Sequence, residues 1–400
     1  MNGKSVQMRI AQIAPLFESV PPRLYGGTER VVSYLTEELV REGHHVTLFA
    51  SGDSATSAEL VSCSPAALRL DPTVRDPNPH YMLMLEKVRQ RAREFDILHF
   101  HIDYFHFPVF RPMAARTLTT LHGRLDIPDL RLLYRTIDDM PLVAISDAQR
   151  GTIPNANFVA TVQHGVPLDL YRPTFQPRER YFAFLGRICP EKRPDLAIKI
   201  ARACGIPLKI AAKIDRADER YFHDVIAPLL DGVSVQYIGE INERTKTAFL
   251  GEASALMFPI DWPEPFGLTM IEAMACGTPV LAFRCGSVQE VVDQGTTGFI
   301  VDSVEDAVQT VPRIIALDRR AVRRRFEHRF SADRMARNYV DVYRSLLTRS
   351  LHGEIDGRSM VAPAELDATI MPMMPEPSDI DLSRSAGGES EGGIADWPRS

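Results

Sequence analysis

Short apolar segments alternate with segments of helical periodicity along most of the chain. This alternation is typical of parallel strands that are covered by helices on both faces. It runs through the first part of the chain and restarts after residues 164–180. Strands are predicted in "MRIAQIAPL", "HVTLFAS", "DILHFH", "ARTLTTLHG" and "MPLVAIS", and then in "RYFAFLGRI", "LKIAAK", "VSVQYIGEI", "ALMFPI", "TPVLAF" and "TGFIVDS". We therefore predict an α/β protein with two Rossmann-like domains.

The stretch "HGVPLDLYRPTFQPRER" contains three prolines and many polar residues, so it predicts the interdomain connection. We place an N-terminal domain at 1–170 and a C-terminal domain at 171–330. A closing helix at about 331–350 is expected to pack back on the first domain. Residues 351–400 are rich in Pro, Gly, Ser and acidic residues. This tail is predicted to be disordered, because it cannot bury enough apolar surface to offset the entropy of ordering.

Three local interpretations accompany this layout. The stretch "TERVVSYLTEELVREGH" predicts a helix with Thr28 as N-cap and Gly43 as its stop. The basic run "RRAVRRRFEHRFS" is interpreted as a solvated helix face, with nucleic-acid binding as the weaker alternative. Segments 51–80 and 101–112 are expected to be irregular loops that carry no readable binding motif.

Composition excludes several classes of protein. The net charge of −6 does not favour nucleic-acid binding, which usually needs a basic domain. No apolar run approaches the roughly 18 residues of a membrane span, although peripheral membrane contact stays open. The first apolar run is interpreted as a strand and not as a signal peptide. Five cysteines without a CxxC pair argue against zinc or a disulfide framework and fit a reducing cytoplasm.

Parallel strands of two such domains end at a common cleft, where ligands bind. Gly26 and Gly27 precede a predicted helix, so this helix start offers backbone N–H groups to an anion, although a plain turn explains the glycines equally well. Arg187 and Lys192 follow a strand. If both cations bind a diphosphate, they would neutralise the negative charge that develops on the diphosphate as it departs as a leaving group. The alternative is two surface cations.

The stretch "EPFGLTMIEAMACGTPV" carries two carboxylates eight positions apart. Gly267 permits close approach of the backbone, and the N–H groups of Leu268 and Thr269 would face a phosphate at the helix start. Glu264 would accept hydrogen bonds from sugar hydroxyls, and Glu272 would bind a ribose diol. The alternative is that Glu272 only complements the helix dipole and Glu264 only caps the loop.

Histidines form the last group of candidates. His99 and His101 alternate on a strand next to Asp103, an arrangement compatible with a metal site but more often structural. His122 follows a strand and precedes a glycine, which places it at the edge of the cleft. A structural histidine with satisfied hydrogen bonds is the alternative there.

At these residues the chain resembles the GT-B-fold glycosyltransferases of family 4, over about residues 8–345. The "GG" loop, the "GR…EK" element and the E-x7-E element occur in the expected order. The overall character is similar to a bacterial subgroup described as UDP-glucose:tetrahydrobiopterin glucosyltransferase-like. There are also departures, since many relatives have Asn-Gly at His164-Gly165 and a small polar residue around Trp262. Trp262 is expected either beside the sugar or in the core.

The resemblance implies a role for each matching residue. Gly26 and Gly27 would face the donor diphosphate, and Arg187 and Lys192 would bind its phosphates. His122 would lie near the primary hydroxyl of the sugar, and Glu264 near its 3- and 4-hydroxyls. Glu272 would bind the ribose. It further implies a retaining enzyme without metal or cofactor, which moves a hexosyl group, with UDP-glucose as the expected donor. The donor would bind the C-terminal domain and an unidentified small-molecule, glycan or lipid-linked acceptor the N-terminal domain. The alternatives are an epimerase-like or phosphorylase-like enzyme on the same fold and a non-catalytic sugar-nucleotide binding protein.

Overall fold

The computed structural model describes residues 7–24 and 26–351, and its strands form two separate sheets. The strands of the first sheet are β1 (Arg9–Ile13), β2 (His45–Ser51), β3 (Glu59–Ser64), β4 (Ile97–Phe100), β5 (Thr117–Thr120), β6 (Leu142–Ala144) and β7 (Phe158–Thr161). Those of the second are β8 (Phe182–Arg187), β9 (Leu208–Lys213), β10 (Val235–Gly239), β11 (Ala255–Phe258), β12 (Val280–Phe283) and β13 (Gly298–Val301).

Helices connect the strands and cover both sheets. They are α1 (Gly27–Arg41), α2 (Asn78–Arg91), α3 (Phe107–Phe110), α4 (Pro128–Thr136), α5 (Asp147–Arg150), α6 (Pro194–Cys204), α7 (Glu219–Tyr221), α8 (Glu243–Gly251), α9 (Leu268–Ala275), α10 (Val288–Val291), α11 (Val304–Ile315), α12 (Arg319–Arg329) and α13 (Ala332–Leu351). Short 3₁₀ turns lie at Leu68–Leu70, Ala92–Glu94, Arg111–Arg116, Pro190–Lys192, Arg216–Asp218 and Ala227–Leu229, and a π turn at Phe222–Ile226.

Strand order places the ligand-binding edge of each sheet. The first sheet has the order β3-β2-β1-β4-β5-β6-β7 and the second β10-β9-β8-β11-β12-β13, with parallel pairing throughout. The direction of winding therefore reverses between β1 and β4 and again between β8 and β11. In open parallel sheets, ligands bind beyond the carboxyl ends of the strands at such reversals.

The last described helix returns to the first sheet. Its Tyr343 hydroxyl lies 2.8 Å from Nδ1 of His99, and its Tyr339 hydroxyl lies 2.9 Å from Oγ1 of Thr120. Just before this helix, Ser331 forms a parallel bridge with Val166 of the interdomain connection. The chain thus crosses between the two sheets twice at one place. The predicted tail 351–400 lies outside the described residues except for Leu351, the final residue of α13.

Some local predictions were wrong. β3 lies inside the segment expected to be a loop, and β7 was not predicted. Both are edge strands with partly exposed residues, so neither shows the continuous apolar run of a central strand. Helix α1 begins at Gly27, so Thr28 lies within the helix and Gly26 precedes it. Gly43 does end α1, with a φ of 90° that favours glycine.

The basic run "RRAVRRRFEHRFS" is only partly the solvated helix face that was predicted. Two of its guanidinium groups are bonded to backbone carbonyl groups and are not solvated. Arg319 donates to the carbonyl oxygens of Thr174, Gly251 and Ala253, and burial lowers its pKa to about 10. Arg323, which is 8% exposed, donates to the carbonyl oxygen of Ala275 at the end of α9. Both arginines therefore satisfy carbonyl groups that the ends of helices and loops leave without partners.

His106 is buried without charge, and we expect it to make the protein acid-sensitive. It stacks on Phe100 at 3.8 Å, and burial lowers its pKa well below the usual value. Because the unfolded state takes up a proton below about pH 6.5 and the folded state does not, stability is lost as the pH falls. Relative to His106→Phe, the wild-type free energy of unfolding should fall by about 1.4 kcal/mol per pH unit below 6.5. Urea unfolding of wild type and His106→Phe measures this loss. A difference in unfolding free energy between the two proteins that stays constant from pH 7.5 to 5.5 would contradict the prediction.

Gly165 lies where the two crossing segments touch, and a side chain there is expected to destabilise the protein. A Cβ at this position would lie 2.3 Å from the carbonyl oxygen of Ser331, which is backbone and cannot rotate away. We expect Gly165→Ala to lower the free energy of unfolding by about 1–3 kcal/mol. Gly186→Ala is the control, because no atom lies within 4 Å of its added Cβ. Equal unfolding midpoints for the two variants would refute the packing argument.

Candidate active site

A cleft of about 1290 Å³ lies between the two sheets and is lined by residues of both domains. The start of α1 forms part of one wall and the start of α9 part of the other. The walls approach closely here, since a Cβ on Gly27 would lie 3.6 Å from Cδ1 of Leu268. Neither helix has a side-chain N-cap, so the first-turn N–H groups of both are available to a ligand. The predicted residues Gly26 and Gly27 therefore lie across the cleft from Gly267, Leu268 and Thr269.

The backbone around Gly267 is held in one conformation by close packing. Gly267 has a φ of 80°, and a Cβ there would lie 3.1 Å from the ring of Phe258. The preceding loop is fixed by Gly286, whose Cβ would lie 2.4 Å from the backbone N and O atoms of Glu264. The N–H of Ser287 donates to the carbonyl oxygen of Glu264 at 3.0 Å. The start of α9 and the backbone of Glu264 are therefore held in fixed positions relative to each other.

Lys192 and Glu264 form an ion pair in the cleft. The indole Nε1 of Trp262 donates to Glu264 Oε2 at 2.9 Å, and the Lys192 ammonium lies 4.7 Å from the centre of the indole ring. Trp262 therefore lines the cleft and also packs against the hydrophobic core beneath it. The arrangement places one cation and one carboxylate next to the start of α9, where a sugar phosphate would meet both.

Arg187 lies among carboxylates of the second domain. Its guanidinium nitrogens lie 3.6 Å from Glu191 and Asp215 and 3.5 Å from Asp218. Burial raises the pKa of the Asp218 carboxyl, which the Arg187 charge partly offsets. Arg187 and Lys192 both line the cleft, but each is paired with different acids. The contact of Arg187 with phosphate stays a prediction.

Glu272 is 2% exposed, so its carboxylate is buried in the wall of the cleft. Its Oε1 accepts from Lys246 Nζ at 2.8 Å and from the Tyr171 hydroxyl at 3.1 Å. Its Oε2 has no protein partner among the described residues, and Glu272 lines the cleft. That oxygen is therefore available to accept a hydrogen bond from a ligand.

A second carboxylate, Glu243, links this cluster to the other domain. It pairs with Lys246 at 3.7 Å, accepts from Tyr171, and forms an ion pair with Arg30 of α1. Burial, together with the neighbouring Glu272 charge, raises the pKa of Glu243 to about 7. Arg30 is 6% exposed, so this is a buried contact across the cleft. The sequence alone did not point to this contact, because Arg30 and Glu243 are 213 positions apart and no motif joins them.

The tautomer of His122 is set by its neighbours. His101 Nε2 lies 2.7 Å from the Gln12 amide oxygen, which can only accept, so His101 carries its proton there. Its bare Nδ1 then accepts from His122 Nε2 at 2.9 Å. Burial lowers the pKa of His122 to about 3, so the ring is neutral and its Nδ1 is an acceptor. Nδ1 has no partner in the described chain and is free to accept from a sugar hydroxyl.

Two other histidines lie near His122, and one of them, His164, also lines the cleft and has an Nδ1 without a partner among the described residues. His99 bonds to Thr120 and Tyr343, and His164 lies against His122 with ring centres 5.1 Å apart. Residues 7–24 and 26–351 contain no group of three or more His, Cys, Asp or Glu side chains arranged to hold a metal ion. No helix in the same ranges is long and apolar enough to cross a membrane.

Two family models match the chain. The model for glycosyltransferase family 4 matches residues 25–191, and the model for glycosyl transferases group 1 matches residues 172–329. A curated relative, the D-inositol 3-phosphate glycosyltransferase of Mycobacterium tuberculosis H37Rv, is 30% identical over 212 residues. That match covers 48% of this chain and 44% of the relative, so the chain spans less than half the length of the curated relatives that it matches.

Solved structures resemble the whole described fold. AviGT4, a glycosyltransferase of avilamycin A biosynthesis, is 23% identical with a TM-score of 0.65 and covers 85% of this chain and 98% of its own. Sucrose-phosphate synthase from Thermosynechococcus elongatus is 20% identical with a TM-score of 0.68, covering 86% and 100%. Anabaena HepE, in complex with UDP and glucose, is 16% identical with a TM-score of 0.66, covering 85% and 100%. These likenesses confirm the predicted GT-B fold.

Proposed function

The chain belongs to the GT-B-fold glycosyltransferases of family 4, and we propose that it moves a hexosyl group from a UDP-sugar to a hydroxylated acceptor. We further propose that the transfer retains the anomeric configuration, needs no metal ion or cofactor, and uses UDP-glucose as donor. The observation that carries this proposal is the Lys192–Glu264 pair beside the uncapped start of α9. A sugar-nucleotide donor carries both a phosphate, which Lys192 would bind, and sugar hydroxyls, which would donate to Glu264.

The proposed donor position follows from the charges of the cleft. The diphosphate would lie between the helix starts at Gly27 and Leu268, where backbone N–H groups and Lys192 supply positive potential. The hexose would lie against Glu264 and the neutral His122, both of which accept hydrogen bonds from hydroxyl groups. The free Glu272 oxygen would bind the ribose. The Anabaena protein with the same fold was crystallised with UDP and glucose, which supports this choice of donor.

The transfer step exchanges one bond at the anomeric carbon for another. The bond from C1 to the diphosphate oxygen breaks, and the acceptor oxygen forms its bond to C1 on the same face. The acceptor proton goes to the departing diphosphate, so the products are the glycoside and UDP. Lys192 and the start of α9 stabilise the charge that develops on the diphosphate, which is the part that a divalent ion has in other transferases.

We place the enzyme in the cytoplasm. Its five cysteines are all unpaired in the described structure, as suits a reducing compartment.

The proposal is tested by following UDP-glucose in 1 mM EDTA by proton NMR, with a mixture of neutral and phosphorylated alcohols as acceptors. We expect release of UDP together with a new α-anomeric signal from a glucoside. A β-anomeric product would refute retention, and rescue of an inactive EDTA sample by Mg²⁺ would refute metal independence. Conversion of the donor sugar without transfer would favour an epimerase, and no change in the donor would favour a binding protein.

A further inference from the structure

The first-domain wall of the cleft contains a carboxylate without a partner. Asp103 follows β4 and lines the cleft, and its side chain has no hydrogen bond or ion pair with residues 7–24 or 26–351. Burial raises the pKa of its carboxyl to about 6, so it is mainly ionised at neutral pH. Asp103 is partly buried, and carboxylates removed from water are normally paired, because an unpaired charge is costly to desolvate. An unpaired one at a cleft is therefore a candidate for binding a ligand.

The backbone at Asp103 is also unusual. Its φ is 53°, in the left-handed region that non-glycine residues seldom adopt. This conformation is unfavourable for most residues, although Asp and Asn tolerate it best. Such strain is concentrated at functional sites, where it holds a side chain in a required direction.

Tyr134 of α4 provides a second, independent polar group on the same wall. The residue is 2% exposed and lines the cleft, and its hydroxyl has no partner in the described part of the chain. The Asp103 charge adds to burial in raising the pKa of this phenol well above the usual range. A buried hydroxyl without a partner is costly, so a ligand hydroxyl would satisfy it.

Aromatic and aliphatic side chains form part of this wall, and its arginines are already paired with carboxylates. Tyr104 and Phe105 stack on each other at 5.5 Å, beside Leu125 and Leu130. Among described first-domain residues that line the cleft, the cations are Arg30 and Arg124. Arg30 pairs with Glu243, and Arg124 pairs with Asp126 at 2.8 Å and Glu191 at 3.3 Å. A phosphate on the acceptor would meet Asp103 and find no available cation.

We propose that Asp103 and the Tyr134 hydroxyl bind the hydroxyl groups of an uncharged acceptor, and that this wall rejects phosphorylated acceptors. The inference rests on the proposed function and specifies the acceptor class that this transferase takes. Asp103 orients the acceptor by accepting a hydrogen bond from it, and the proton still leaves with the diphosphate. The chain would then differ from the mycobacterial relatives, whose name specifies a phosphorylated inositol.

Matched acceptor pairs isolate the effect of the phosphate. The probes are D-glucose with D-glucose 6-phosphate and myo-inositol with D-inositol 3-phosphate, each with UDP-glucose and EDTA. We expect the neutral member of at least one pair to have a kcat/KM at least tenfold above that of its phosphate. Preference for the phosphorylated member in both pairs overturns the inference. Donor hydrolysis without transfer to any neutral probe also overturns it, while leaving the proposed function in place.

Variants assign the effect to these residues. Asp103→Asn keeps the shape and the left-handed backbone, and Tyr134→Phe removes one oxygen. Each is expected to lower kcat/KM for the neutral acceptor by about 10–100-fold through KM, with the donor KM within twofold of wild type. The exposed Asp138→Asn is the control for charge. An unchanged acceptor KM in both variants overturns the inference, and loss of donor binding in wild type overturns the proposed function as well.

Discussion

Lys192→Met is expected to lower kcat for hexosyl transfer by about 10²–10³-fold. The Lys192 ammonium lies beside the start of α9, where the leaving diphosphate would develop charge, and it is paired there with Glu264. Because that charge grows toward the transition state, the loss should appear mainly in kcat and less in the donor KM. Steady-state transfer rates at saturating donor measure the effect. We expect a loss of similar size for Glu264→Gln, which removes the carboxylate that would orient the sugar.

Two controls separate this role from a structural one. Lys199→Met removes an exposed lysine of α6 and should change kcat by less than about twofold. Lys192→Arg retains the charge and should recover part of the activity, though not all of it, since the guanidinium is larger and planar. Wild-type turnover in Lys192→Met or in Glu264→Gln would remove the core of the proposed mechanism.

Glu272→Leu is expected to destabilise the protein by about 3–5 kcal/mol and also to weaken donor binding. Glu272 and Lys246 are 2% and 9% exposed, so the substitution leaves a buried ammonium facing Glu243 alone. Urea unfolding measures the first effect. Titration with UDP measures the second, for which we expect about a tenfold increase in Kd from the lost ribose contact.

The double variant Glu272→Leu/Lys246→Met distinguishes the two effects. Removing both charges should restore most of the stability, because an apolar pair replaces an uncompensated ion. UDP binding should stay weak, since the carboxylate is still absent. Asp302→Asn is the matched control for an exposed ion pair with Arg284 and should change stability by less than about 1 kcal/mol. Wild-type affinity for UDP in the double variant would show that Glu272 is only structural.

Central elements and site motifs could be predicted from the sequence, because both depend on local patterns. Strands β4 and β11 are buried along their whole length, and β11 is a continuous apolar run while only His99 interrupts that of β4. The predicted residues Glu264, Lys192 and Gly267 meet at one place, since each follows a central strand of one sheet. The edge strands β3 and β7 escaped prediction, because a partly exposed strand leaves a weaker pattern.

Contacts between distant segments could not be predicted in the same way. The ion pair of Arg30 with Glu243 and the burial of Glu272 against Lys246 depend on how the domains pack. Arg319 and Arg323 appeared as solvated charges, although they bind carbonyl groups that only the folded chain brings near them. The free Tyr134 hydroxyl is likewise visible only once its surroundings are known.

The most direct test of a metal-free uridine-diphosphate-sugar site is a thermal-shift series. The ligands are UDP, ADP, GDP, UDP-glucose and UDP-N-acetylglucosamine, each with and without EDTA. A ligand at 100 times its Kd stabilises the folded state by about 2.7 kcal/mol, which gives a clear rise in melting temperature. The account predicts that UDP and UDP-glucose raise the melting temperature equally with and without EDTA, and that ADP and GDP do not. No shift with any uridine compound, or a shift that EDTA abolishes, would contradict it.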